Sequence, residues 1–243
     1  MKDPTRIPFV IAELQATWEG QPDVSLSTLF GMLANRGIGW GSEDEELVAA
    51  LREMRGRNPA MISGYSRLAA PTPVQAVTAR YVIDTISPQH RITIDPFRVC
   101  VRGVDGSGEP LQPGVWPYSR VRRAAVGSPL LLIDSEGIDH RLGVVTAITM
   151  VDEHPTESID SLEPMRRPEI GDRVFHISFS DGACALLDHG LTRFTVDRRR
   201  IDRRIRPWDR LIRLSVGTTL LMETAGRRWE LGEVTRIISL EYP

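Results

Sequence analysis

The stretch with the clearest capacity for chemistry is "VDRRRIDRRIRPWDRLIR", Val196–Arg213, which sets eight arginines against three aspartates. A guanidinium is a planar fork of donors that stays charged in any protein, so a run of them suits phosphates and carboxylates. Read as a strand that turns and returns, the run alternates. Ile201, Arg203 and Ile205 project one way, and Asp202, Arg204 and Arg206 the other, which suits a half-buried hairpin. The candidate anion-binding residues are Arg198, Arg199, Arg203, Arg204 and Arg206. Only Trp208 and Phe194 are interleaved with them, thin for stacking bases. Composition tempers the reading further. Of the 30 basic residues only Lys2 is a lysine, a bias expected of a GC-rich coding genome, so each arginine carries less information. Residues 168–243 hold 13 basic and 11 acidic side chains, and the whole chain is at -2 with a pI near 6.2. A dedicated nucleic-acid binder is usually basic overall. A protein partner is therefore the main expectation, and nucleic acid held by the arginine hairpin is the alternative.

Other chemistry finds little support. A P-loop needs a lysine downstream, and Lys2 is the only one. "GVDGSG" at 103–108 has the wrong spacing for a dinucleotide fingerprint and is expected to be a flexible loop. The five histidines form no HExxH and no Cys/His zinc spacing. Cys184 and His189 could meet across a hairpin, but "DGACALLDHG" reads better as a turn and a buried strand than as a thiolate with its base. Asp134 and Glu136 fall in an expected hairpin turn, where acids are common for turn-forming reasons. Neither a catalytic set nor a cofactor or metal site is assigned. Two cysteines make no disulfide framework and suit a reducing compartment. With neither a secretory signal nor an apolar run of spanning length, the expected location is the cytoplasm, away from membrane.

The elements that position these residues begin with a helical head, placed at 1–66. Asp3 and Pro4 suit a helix start, and Ile7, Val10, Ile11, Leu14 and Trp18 follow at helical spacing. "EGQPD" breaks the pattern. Leu26, Leu29, Phe30 and Leu33 form a second stripe that ends at Gly37. Ser42 and Glu45 have capping-box spacing before Leu47, Val48, Leu51 and Met54. Three short helices are expected over about 4–56, as a packing or partner-docking bundle. "SEDEE" and "GIGWG" are poor fits to a helix-turn-helix, whose turn is about 3–4 residues long, and Trp40 is expected to lid the bundle. "RIPFVIAELQATWEGQPDVSLSTLFGMLANRG" followed by "EDEELVAALREM" resembles the small helical YihD-like bacterial proteins. It shares their first helix ending near Trp18, their Gln-Pro-Asp turn and their Leu29-Phe30 pair. The resemblance covers the first quarter of the chain and implies a helical shape in a bacterial protein, without an activity.

"RLAAPTPVQA", Arg67–Ala76, is expected to be a linker, and strand-like segments follow it. Residues 116–148 match 206–237 with one single-residue gap. The match shares Val126-Gly127 with Val216-Gly217, Leu130-Leu131 with Leu220-Leu221, and Leu142-Gly143 with Leu231-Gly232. Arg120 and Arg123 match Arg210 and Arg213, polar positions expected to be structural. Upstream, "RITIDPFRV" (91–99) matches "RFTVDRRRI" (193–201), which sets Pro96 and Phe97 against Arg198 and Arg199. A 12-residue insertion then distinguishes the first copy. The expected architecture is α+β and multi-domain. A three-helix bundle precedes two related all-β modules, barrels or sandwiches, at 77–152 and 169–243, with "DEHPTESIDSLEPMRRPEIG" as a linker. The expected function is non-catalytic binding.

Overall fold

The computed structural model describes residues 3–62, 76–197 and 200–241. The linker expected over Arg67–Ala76 falls almost wholly outside them. The α+β class is the one observed: three helices precede two antiparallel sheets. The chain divides into two compact units, Met1–Val101 with Val115–Glu153, and Arg102–Gly114 with His154–Pro243.

In the first unit the helices are α1 (Arg6–Glu19), α2 (Leu26–Asn35) and α3 (Asp44–Arg57). Ser25 caps α2 by accepting from Thr28 N. At its other end Gly37 N donates to Ala34 O and Ile38 N to Leu33 O, the paired bonds that satisfy a helix's last carbonyls. The capping box of α3 lies one residue later than expected, with Glu43 N donating to Glu46 Oε2 at 3.1 Å. Ser42 instead accepts from Gly39 N inside the preceding loop. Leu29, Leu33, Leu51 and Met54 form the helical core.

Seven strands form the first sheet, the ends of β3 and β4 running into residues 102–114: β1 (Arg80–Ile86), β2 (His90–Ile94), β3 (Val99–Gly103), β4 (Gly114–Trp116), β5 (Tyr118–Arg123), β6 (Pro129–Asp134) and β7 (Asp139–Asp152). They run β4-β3-β2-β1-β7-β6-β5, two meanders joined by the antiparallel pair β1–β7. Alternation along β1 and β2 buries Tyr81, Ile83, Ile92 and Ile94 with Val121, Leu130, Leu132, Val145 and Ile148. The helical head is continuous with this module. Ile62 N donates to Ala124 O, Val126 N to Ala60 O, and Asn58 Nδ2 to Thr149 Oγ1. A buried polar cluster pins the sheet. The Arg80 guanidinium lies 2.9 Å from Asp152 and 3.7 Å from Asp95. Asp95 Oδ1 also accepts from Phe97 N and Arg98 N and so shapes the β2–β3 turn. The Tyr118 hydroxyl donates to Asp95 O at 2.8 Å and accepts from Val77 N at 3.1 Å.

The second unit holds β8 (Ser161–Leu162), β9 (Met165–Arg166), a 3-10 turn (Arg167–Ile170), β10 (Val174–Phe179), β11 (Cys184–Leu187), β12 (Leu191–Asp197), β13 (Arg200–Arg206), β14 (Arg210–Ser215), β15 (Thr219–Thr224) and β16 (Arg227–Glu241). Its order, β13-β12-β11-β10-β16-β15-β14-β8, repeats that of the first unit. Leu130 and Leu220, Val145 and Val234, and Ile148 and Ile237 are all core. The hairpin turns match bond for bond: Gly127 N donates to Val145 O and Gly217 N to Val234 O, while Val145 N and Val234 N return to Ser128 O and Thr218 O. Arg213 Nε donates to the Thr219 carbonyl, in keeping with a structural role.

Two sequence readings need correction. Residues expected to be a linker between the modules are part of the second unit. β8 and β9 pair with β14, and Met165 and Ile170 are buried in the core with Ile159 and Leu162 packed on it. Prolines and charges masked an apolar set that the sheet requires. The upstream half of the repeat is also misregistered. β2 lies beside β1, and the strand in the same place of the second sheet is β11, whereas "RFTV" belongs to β12. Short strands of similar β-branched pattern resemble one another in sequence, and their place in the sheet is what tells them apart.

Two expected outcomes follow. Gly143 has φ +93°, and a Cβ there would lie 2.6 Å from Pro88 O, whereas at Gly232 a Cβ meets only Phe179 carbons, the nearest at 3.5 Å. Gly143→Ala is expected to cost about 2–3 kcal/mol and Gly232→Ala much less, measured by urea unfolding. Burial pushes the Tyr118 phenol up to about 12 from its ordinary 10. A raised folded-state value favours the neutral form in the fold, so this contribution is complete below about pH 10 and is lost as pH rises through about 12. Wild-type stability should fall more steeply over that window than that of Tyr118→Phe.

Candidate functional site

The arginine run folds as the hairpin β12–β13. Its register sets Leu191 opposite Arg206, Arg193 opposite Arg204, Phe194 opposite Arg203 and Val196 opposite Ile201. Directly opposed residues share a face, so the expected alternation is the one observed. Arg198 and Arg199 lie outside the described residues. The other three predicted arginines are divided between the faces. Arg203 is drawn to residues 102–114, where it pairs with the Glu109 carboxylate and donates from Nη1 to Pro110 O at 3.4 Å. Arg204 and Arg206 lie on the opposite face, with Arg193 and Thr195, and line a cavity of about 230 Å³ closed by Leu191 and Leu231. Arg204 Nε donates to Asp202 at 2.9 Å. The Arg206 guanidinium lies over the Trp229 ring at 5.3 Å, and that of Arg193 over Phe179 at 5.2 Å while it pairs with Asp181.

Arg193 and Thr195 were missed in the sequence. The cross-strand register reveals them, setting Arg193 opposite Arg204 and Thr195 opposite Asp202. The half-buried expectation also fails for β13. Phe194 is buried, but Val196, Ile201 and Ile205 are 56%, 53% and 60% exposed. β13 is the last strand of the sheet order, and its apolar side chains extend past the core. Trp208 and Phe194, the aromatic candidates for base stacking, are both fully buried. Trp208 Nε1 is spent on Asp188 O.

The loop expected to be flexible, 103–108, is shaped by Asp105. Its Oδ1 accepts from Ser107 N, Ser107 Oγ and Glu109 N. These bonds, the Ser107 hydroxyl foremost, hold the Asp105 carboxyl below the usual range. The turn at Asp134 is built the same way, with His140 Nε2 at 2.8 Å. Cys184 is buried opposite Phe194, and burial pushes its thiol up, away from the thiolate that a nucleophile requires. His176 is buried in β10. Among the described residues, no group of three or more His, Cys, Asp or Glu side chains could hold a metal, and no helix is long and apolar enough to cross a membrane.

A second surface arises on the helical head. The stripe Ile7, Val10, Ile11, Leu14 and Trp18 was expected to face the bundle core. Leu14 does pack on the core and Val10 is half-buried, but the buried residues of α1 are polar and meet α3. Glu13, 8% exposed, accepts from Arg52 Nε and Nη2 at 3.0 and 2.8 Å and from Arg55 Nη1 at 2.8 Å. Thr17 Oγ1 bonds Glu13 O and Leu51 O. This rotation leaves Ile7 at 52% and Ile11 at 55% exposure, and on α2 Phe30 is 50% exposed as well. Trp18 keeps one edge on the protein by donating to Val24 O. Trp40, expected as a lid, is fully exposed. The glycines around it give its ring nothing to cover.

No protein-family model, curated protein or solved structure matches the chain. Glu13→Ala is expected to destabilise the head by about 2 kcal/mol, the scale of hydrogen bonds to a charged group. The measurement is loss of helical circular dichroism on heating, with Glu13→Gln intermediate.

Proposed function

We propose that the protein is a non-catalytic binding protein that docks a protein partner on the outward face of α1 and α2. The observation that carries this is the pairing of exposed apolar side chains with an absence of charge. The two helices carry only three charged residues. Arg6 pairs with Asp44, Glu13 is closed inside its arginine clamp, and Glu19 is the last residue of α1. The remaining surface presents Ile7, Ile11 and Phe30 beside Ala12, Gln15, Ser27 and Ala34. Depletion of charge around aromatic and aliphatic residues marks the centre of protein interfaces, and large apolar side chains held in water are what such a partner would cover. An uncharged face has no means of holding phosphate, so the occupant is an apolar face of another protein.

The test compares wild type with Ile11→Asp/Phe30→Asp, both positions being exposed, after circular dichroism confirms that the variant is folded. Affinity capture from the native lysate should yield one stoichiometric protein with wild type. The reconstituted pair should bind at least about a hundredfold more tightly than the variant does, the scale of losing central apolar contacts. Equal capture by both proteins would overturn the reading, as would turnover of a substrate that one cavity substitution abolishes.

A further inference from the structure

The strand β13 ends the sheet of the second unit, and β12 is its one strand neighbour among the described residues. A strand in that position presents a row of backbone donors and acceptors to any incoming chain. Proteins guard such edges with charge, and the arginines of β13 suit that bland role. Two features argue for more. A guarded edge sheds its exposed apolar side chains, yet Val196, Ile201 and Ile205 stay more than half exposed on one face. On the other face the cations are grouped, with Arg193, Arg204 and Arg206 around one cavity of about 230 Å³. Apolar and cationic groups thus alternate with the two-residue period of a strand.

We propose that β13 receives an extended segment of a partner protein as an added strand, and that this segment alternates apolar and acidic residues. Its apolar side chains lie beside Ile201 and Ile205. Its carboxylates lie beside Arg204 and Arg206 and reach toward Arg193. Main-chain pairing supplies the affinity, and the side chains on alternate faces supply the selection. Charge complementarity determines the choice of occupant. On the cavity face Arg193, Arg204 and Arg206 outnumber Asp181 and Asp202, so an acidic strand is drawn to it and a basic one repelled. A second copy is less favoured: antiparallel self-pairing centred on the strand matches Ile201 with Ile205 and Asp202 with Arg204 but sets Arg203 against Arg203 and brings no carboxylate to Arg206, and parallel pairing in register opposes every arginine to itself. Nucleic acid fits less well than peptide. Arg203 is taken by Glu109 on the far face, Asp202 stands beside Arg204, and both nearby aromatic residues are buried. This surface lies in the second unit and does not rest on the docking role of the helices.

The test titrates the full chain with a fluorescent capped peptide of about eight residues alternating valine and glutamate, read by anisotropy. A valine–lysine peptide, the same acidic peptide with a central proline, and a single-stranded oligothymidine serve as comparisons. The acidic peptide is expected to bind at least about tenfold more tightly than the lysine and proline versions. Arg204→Glu/Arg206→Glu, both exposed positions, should reverse the charge preference while circular dichroism stays unchanged. Bound peptide should slow amide exchange along β13. Equal binding of all three peptides would overturn the proposal, as would acidic-peptide binding that ignores the double variant. Preferential, salt-sensitive binding of oligothymidine would replace it with the nucleic-acid reading. Concentration-dependent dimerisation blocked by the peptide would assign the edge to a second copy.

Discussion

The interaction on which the head depends is the grip of Arg52 and Arg55 on Glu13. A carboxylate is costly to take out of water unless its lone pairs are filled. Three guanidinium N–H groups fill them here, and the arginine stems stay partly in solvent, which limits the desolvation cost. The clamp fixes the rotation of α1 about its axis. Once Glu13 and Thr17 face α3, helical periodicity turns Ile7 and Ile11 outward. The apolar face follows from where one buried acid finds its donors.

The second organising constraint is the doubled β architecture. In each unit two meanders meet at one long antiparallel pair, β1–β7 and β10–β16, and the hairpin turns at Gly127 and Gly217 make the same backbone bonds. Divergence lies in what surrounds that frame. The first sheet is bonded to the helical head through Ala60, Ile62 and Asn58. The second recruits β8, β9 and the 3-10 turn, together with residues 102–114, which in the chain belong to the first copy. The insertion that distinguishes the copies therefore has a structural role. Arg102 pairs with Glu241, Glu109 with Arg203, and Gln112 Nε2 approaches Cys184 Sγ at 3.8 Å.

The arginine hairpin shows how charge counted along a sequence differs from charge available on a surface. Five arginines were candidates. Of the three described, one is diverted to Glu109 and two share a face with Arg193, which lies outside the run. Cross-strand register, rather than proximity in sequence, decides which cations act together.

By itself the sequence determined the three helices, the strand content, the equivalence of residues 116–148 with 206–237 and the alternation of β13. All of these are local, set by capping residues, turn glycines and side-chain period. Only the tertiary structure decided which way α1 turned, because the choice between an apolar and a polar face rested on donors about forty residues away in α3. It alone showed the prolines and charges of 152–171 enclosing core residues, and it alone corrected the upstream half of the repeat, since similar strands are told apart by their neighbours. It also separated Arg203 from Arg204 and left Ile201 and Ile205 uncovered. Those outcomes depend on where a sheet ends, and the end of a sheet is a property of the assembled fold.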